Sequence, residues 1–377
     1  MNLDFSEILL EVVRRKASDL HITAGAAPML RVRGALVPVE GQQRLTATDT
    51  REIVYAILNS TQRQRLETDW QIDFAYSIPG HARFRVNAYF QRGTIGAAFR
   101  LIPAETVPIE TLGLPLAVRA FATKPRGIVL VTGPTGSGKS TTLASIINEI
   151  NETRDEHIMT IEDPIEFLHR HKKCIINQRE LDSDAKTFAM ALKAALRQDP
   201  DVVLVGEMRD LETMEAALVI AETGHVCFGT LHTNSCVQTI NRILDVFPPY
   251  QQAQVRAQLS FVIEGVMSQA LLAKAGGPGR ILALEIMVPN AAIRNLIRED
   301  KVHQIYSSMQ VGQAKFGMQT FNQSLANLLT RRLISQEEAF GRSSDPEELK
   351  NILASGAGAG ALPGHQASSP GMRNVQR

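Results

Sequence analysis

The stretch GPTGSGKST, residues 133–141, carries the most specific chemistry in the chain. Gly133, Pro134, Thr135, Gly136, Ser137, Gly138, Lys139, Ser140 and Thr141 satisfy G-x-x-x-x-G-K-[ST] in full. The pattern is meaningful only between a strand and a helix, and both flanks are present: the apolar run GIVLVT (127–132) before it and the helical TTLASIINEI within and after it. Three glycines let the backbone curl with its N–H groups turned inward toward phosphate. The helix N-terminus adds its positive end. Lys139 is expected on the β- and γ-phosphates, and the Ser140 hydroxyl on Mg²⁺. The chain is therefore expected to bind a nucleoside triphosphate. It has no guanine-reading N-K-x-D, which points away from a GTPase.

Hydrolysis needs acids near that loop, and two stretches offer them. DVVLVGEMRD (201–210) reads as a buried strand that ends in Gly206 and Glu207, where comparable strands often end in a Mg²⁺-holding Asp. TIEDPIEF (160–167) supplies Glu162, Asp163 and Glu166, with a solvated turn at Asp163-Pro164 as the plainer alternative. A third stretch, GHVCFGTLHT (224–233), is a strand flanked by His225 and His232. Zinc binding by His225, Cys227, His232 and Cys236 is an alternative whose spacing fits no standard finger; satisfied strand-end histidines are another. All three stretches are expected outside the C-terminal ends of a parallel sheet. Charge growing on a γ-phosphate also calls for a cation. Arg83, Arg85, Arg92 and Arg100 are candidates, against a plainer role in surface ion pairs.

The elements that must position these residues fall into two patterns. Residues 1–100 mix short helices (Leu3–Lys16, Asp49–Leu58) with alternating strands in PMLRVRGALVPV, DFAYSI, ARFRVNAYFQ and GAAFRLI, an α+β domain with one wet sheet face. Residues 101–117, with three prolines, read as a linker. In 118–290 the runs GIVLVT, HIMTIE, DVVLVG, VCFGTL and RILALEIMV alternate with helical segments, including 186–197 and 251–272. That predicts an α/β domain with a parallel sheet covered on both sides. Residues 291–345 read as a short helical end. It opens with AIRNLIRE (292–299), where Ile293, Leu296 and Ile297 share one side and Arg294 and Arg298 another. Residues 346–377 are expected to be a disordered tail, with Gly, Ala, Ser and Pro dominating from about 355.

Composition narrows the classes further. The 377 residues are 44% apolar, and 40 Lys and Arg stand against 39 Asp and Glu. So near-neutral a balance disfavours nucleic acid as partner. Three cysteines form no disulfide framework. The amphipathic start lacks the basic opening and unbroken apolar run expected of a signal peptide, and no run of 18 uncharged apolar residues occurs. A cytoplasmic location is expected.

GPTGSGKST, TIEDPIEF, LRQDPDVVLVGEMRD and ETGHVCFGTLHT together resemble the secretion ATPase superfamily. ASDLHITAG (17–25), ARFRVNAYFQRG (82–93) and AIRNLIRE resemble, more narrowly, its type IV pilus retraction branch. The resemblance spans roughly residues 1–340. It implies a small PAS-like α+β domain ahead of a RecA-like ATPase core, assembled as a homohexamer. It implies Glu166 as general base and Glu207 holding Mg²⁺ or its water. His225 and His232 would order the γ-phosphate, with Arg85 and Arg100 directed at the nucleotide. Ala292, Ile293, Arg294, Asn295, Leu296, Ile297, Arg298 and Glu299 would form a segment needed for retraction. The implied setting is the cytoplasmic face of the inner membrane at the pilus base, on a platform protein, with room for a paralogous retraction ATPase. Extension and secretion motors of the same superfamily are the alternative. Those usually carry a tetracysteine zinc module, which three cysteines cannot make.

Overall fold

The computed structural model describes residues 5–103 and 106–355. They divide into two compact units: Met1–Thr106 with Thr160–Lys172 and Ile176–Phe188, and Val107–Met159 with Lys173–Ile175 and Ala189–Arg377.

The first unit is built on six strands, β1 (Asp19–Ile22), β2 (Met29–Val32), β3 (Ala35–Pro38), β4 (Gln71–Ile78), β5 (Ala82–Gln91) and β6 (Thr94–Ile102), in the order β3-β2-β1-β6-β5-β4. Neighbours pair antiparallel. The period of two sends Leu20, Leu30, Phe74, Phe84, Val86 and Phe99 into a core. Ile8, Leu9 and Val12 of helix Phe5–Arg14 and Ile53 and Val54 of helix Ala47–Ile57 complete it. The other face is polar. Arg85 lies directly opposite Arg100, and Arg100 opposite Asp19, so one row crosses three strands. A third helix, Ser60–Asp69, has no counterpart in the sequence reading. Its segment STQRQRLETD buries only Leu66, so it carries no apolar stripe. Its N-terminus is instead fixed by a capping box between Asn59 and Gln62.

The second sheet has seven strands: β7 (Gly127–Thr132), β8 (His157–Glu162), β9 (Ile175–Glu180), β10 (Val202–Val205), β11 (Val226–Leu231), β12 (Ile263–Ala273) and β13 (Arg280–Met287). The order is β13-β12-β7-β11-β10-β8-β9. Every residue of β7, β10 and β11 is buried, as expected for strands covered on both faces.

Four expectations need correction. The helix expected at 251–272 ends at Val262, and Ile263–Ala273 continues as β12. The 3.6-residue spacing of Val255, Leu259, Val262 and Val266 runs across that boundary by chance. β13 pairs antiparallel with β12, whereas β12–β7, β7–β11 and β11–β10 pair parallel. Leu101 and Ile102, assigned to a linker, are the end of β6, and Ile109–Leu112 within 101–117 is a short 3₁₀ helix. Finally, Pro346–Ala354 is a helix rather than tail. Asp345 caps it, Pro346 starts it, and its Leu349 is buried with Leu325, Ala326 and Leu328. Its Glu348 accepts from Tyr306 Oη at 2.6 Å, and burial followed by this bond pushes the Tyr306 hydroxyl's pKa up. The expected tail from 356 onward lies outside the described residues.

β12 pairs with β7 through an irregularity between Ile263 and Gly265. A Cβ on Gly265 would lie 2.4 Å from the Phe121 ring. Gly265→Ala is therefore expected to destabilise the protein by about 1–3 kcal/mol, measured as a lower urea midpoint at unchanged m-value.

Candidate active site

β11 lies between β7 and β10, pairing Leu231 with Thr132 and Gly229 with Val205, all parallel. The three strands therefore end at one edge, and the residues following them, Gly133, Gly206–Glu207 and His232, emerge side by side.

The loop after β7 takes positive φ at Gly133 (140°), Gly136 (78°) and Gly138 (90°). Gly138 is the N-cap of helix Lys139–Thr153. At Gly133 a Cβ would meet Gln269 O at 2.3 Å, so that glycine is demanded by packing as well as by φ. Gln269, on β12 beside Ser268, which pairs with Thr132, supports the loop from below. Its Nε2 donates to Ser137 O at 2.8 Å. The sequence reading missed Gln269 because it lay in the segment read as helix. Lys139 is buried, and its Nζ donates to Gly133 O at 2.8 Å and Pro134 O at 3.1 Å. The loop's own carbonyls thus hold the ammonium at its centre. Ser137 Oγ is buried with no hydrogen-bond partner, a polar group of the kind a phosphate oxygen satisfies.

Glu207 is half-buried at the end of β10. Its Oε1 is 3.1 Å from His232 Nε2, and Arg209 Nη2 donates to its Oε2 at 2.7 Å. Burial works to raise its pKa, but the Arg209 and His232 contacts outweigh that and hold the carboxyl below the ordinary range. Glu207 is thus an ionised acceptor at the strand tip, next to the phosphate loop. Met208 N donates to Thr230 O at 3.0 Å, fixing the tip against β11.

His225 does not join this group. It precedes β11 at the opposite sheet edge, where its carbonyl accepts from Gly127 N at 3.0 Å. The six residues of β11 separate it from His232, roughly 20 Å of chain. Its Nδ1 instead meets Thr223 Oγ1 at 3.1 Å and Ile220 O at 3.2 Å in the turn before the strand. The expectation that it touches this chain's phosphate loop is corrected accordingly. The same separation dismantles the zinc alternative; Cys227 and Cys236 are buried free thiols, and no group of three metal-ligating side chains occurs among the described residues.

The other candidates belong to the first unit. Glu162, at the end of β8, accepts from Thr160 Oγ1 at 2.6 Å, from Gln178 Nε2 at 3.2 Å and from Glu166 N at 3.4 Å. Burial raises its pKa against those bonds. The Glu166 side chain is exposed. Arg100 Nε lies 3.0 Å from Asp19 Oδ1, and Arg85 Nε 3.9 Å from Asp73 Oδ1; both arginines are exposed.

AIRNLIRE forms helix Ala291–Arg298, with Ile293 and Ile297 fully buried and Asn290 capping its N-terminus. Ala292, Arg298 and Glu299 are exposed, and Asn295 and Leu296 are half-buried. Arg298 stacks over the Phe261 ring. Arg294 is occupied structurally: Nη1 donates to Ser260 O (2.9 Å) and Phe261 O (2.8 Å), and Nη2 to Glu264 Oε1 (2.7 Å). It caps the C-terminus of helix Pro249–Val262 where that helix gives way to β12. Among the described residues no helix is long and apolar enough to cross a membrane.

A glycine loop closed around a buried lysine, with an ionised carboxylate at the next strand tip but one, defines a P-loop ATPase. The chain belongs to the Type II/IV secretion system protein family, which matches residues 2–339. It is 49% identical over 352 residues to the type IV pilus retractation ATPase PilT of Pseudomonas aeruginosa, covering 92% of this chain and 100% of that one. It is 47% identical over 340 residues to a twitching motility protein of Neisseria gonorrhoeae, covering 89% and 90% respectively. A crystal structure of the pilus retraction motor PilT with bound ADP superposes with a TM-score of 0.86 at 52% identity, covering 93% of this chain and all of that one.

Removing the Arg294 cap leaves two helix-end carbonyls and Glu264 short of donors. Arg294→Ala is expected to cost about 1–3 kcal/mol of stability, read from chemical denaturation, before any effect on a partner is considered.

Proposed function

We propose that this protein is the ATP-driven motor of type IV pilus retraction, the source of twitching motility. The observation that carries the reading is near-half identity along the full length of a pilus retraction ATPase, joined to a phosphate loop and strand-tip acid that fit ATP.

Under this reading the loop amides and Lys139 bind the phosphates, and Ser137 Oγ gains the partner it lacks. Ser140 and Glu207 would hold Mg²⁺, directly or through water; the ion's chemistry there is charge neutralisation on the β- and γ-phosphates. The ionised, doubly anchored Glu207 suits that role, and His232 beside it is suited to the γ-phosphate. Glu166 acts as general base on the attacking water, supported by its free carboxylate on a loop whose amide is tied back to Glu162. Arg85 and Arg100 stabilise charge on the transferring phosphoryl group, supported by their adjacency on one exposed sheet row. Motion then follows from a hydrolysis-linked change in orientation between N-terminal and ATPase domains. The working assembly is a homohexamer on the cytoplasmic side of the inner membrane. The helix Ala291–Arg298 and Glu299 engage the pilus machinery, whose inner-membrane platform protein takes the force, and a paralogous ATPase is compatible with this scheme. Nucleic acid has no place in it.

Glu166→Gln is expected to retain ATP affinity while hydrolysis falls about 100- to 10,000-fold; wild-type turnover would remove Glu166 from the base role. In cells, deleting the gene should leave excess surface pili and no surface movement. Bare cells would assign the protein to pilus extension instead.

A further inference from the structure

The segment bearing Glu162 and Glu166 was read from its sequence as part of the ATPase core, yet residues 160–172 and 176–188 group with the N-terminal α+β unit. A buried ion pair provides the physical reason. Arg83 on β5 places Nη2 2.9 Å from Glu180 Oε2, at the end of β9. The Glu180 side chain is only 5% exposed and that of Arg83 19%. The same Oε2 accepts from Ile165 N at 3.0 Å, one residue before Glu166. Arg83 and Arg85 are two apart on one strand, and Arg85 is paired with Arg100, so all three arginines project from the same sheet face.

We propose that Arg83 and Glu180 are positioning residues for ATP hydrolysis: the pair clamps the Glu166 loop to the sheet face that presents Arg85 and Arg100, making base and arginines a single rigid constellation. This rests on the roles given above to Glu166 and the two arginines. Glu180 has no hydrolytic task of its own, being buried and spent on two donors. Its carboxylate is the node through which a β5 side chain fixes the backbone at Ile165. The loop's second anchor, Glu162 to Glu166 N, is longer at 3.4 Å, and so cannot be expected to hold the base alone. Breaking a buried pair from one side leaves an uncompensated charge. By contrast Arg65–Asp182, which ties helix Ser60–Asp69 to the residue two past β9, is more than half exposed at both partners. It is a tie that solvent competes with, and Arg65→Ala serves as control.

The test combines ATPase kinetics with hydrogen exchange on the full-length protein. Arg83→Ala and the isosteric Glu180→Gln are compared with Arg65→Ala and wild type. The clamp predicts that Arg83→Ala lowers kcat about 10- to 100-fold while KM for ATP changes less than about twofold. It also predicts at least roughly tenfold faster exchange of the 163–167 amides, with Glu180→Gln shifted in the same direction and Arg65→Ala unchanged. Unaltered exchange at 163–167 in both clamp variants would overturn the proposal, as would equal effects in Arg65→Ala. Should Arg83→Ala not fold, Glu180→Gln carries the same test alone. Exchange that loosens while Glu166→Gln still hydrolyses ATP would leave the clamp standing and remove the base assignment instead.

Discussion

The parallel pairing of β11 between β7 and β10 is the constraint on which the site depends. Parallel strands have one hydrogen-bond register per pair, and here it is set by Leu231 against Thr132 and Gly229 against Val205. Shifting any of the three by one residue would turn its side chains to the opposite face. With all three strands buried throughout, such a slip has nowhere to go. The register is therefore rigid, and so is the spacing of the phosphate loop, Glu207 and His232. It also explains His225: the rigidity that brings one histidine to the site carries the other to the far edge.

Five glutamates in this chain show how environment separates chemistry from architecture. Glu207 is kept ionised by Arg209 and His232. Glu162 is pushed toward its protonated form by burial, and its oxygens are committed to Thr160, Gln178 and the Glu166 amide. Glu285 is deeply buried on β13, and accepts from Cys236 N at 2.6 Å, steadying the helix Cys236–Val246 that follows His232. Glu180 is spent on Arg83 and Ile165. Glu166 alone among the five has an exposed side chain. A catalytic base must reach water and change partners; Glu162, Glu180 and Glu285 are instead committed to contacts within the fold, and Glu207 to its strand-tip contacts with Arg209 and His232.

Arg294 illustrates the same division at the C-terminal end. A motif that attracts attention as an interaction sequence contains a side chain fully used in closing a helix and bracing Glu264, which Lys124 also contacts at 2.7 Å. The exposed residues of that helix, Ala292 and Arg298, with Glu299 after it, are the ones a partner can reach without dismantling the join between helix and strand.

The sequence by itself determined the phosphate loop, the strand-tip Glu207 and the order of an α+β segment ahead of an α/β one. Each is written locally: glycines where φ must be positive, apolar runs where both faces are covered, and a change of period between the halves. It could not separate β12 from the helix before it, since an apolar spacing of three and four residues continued past Val262. It could not see helix Ser60–Asp69, which is held by caps rather than by a stripe. Nor could it distinguish His225 from His232, find Gln269 beneath the loop, or pair Arg83 with Glu180 across 97 positions. Those facts depend on which strands become neighbours and at what register. Long-range packing decides that, because only in the folded chain do the desolvation of a buried charge and the approach of its partner occur together.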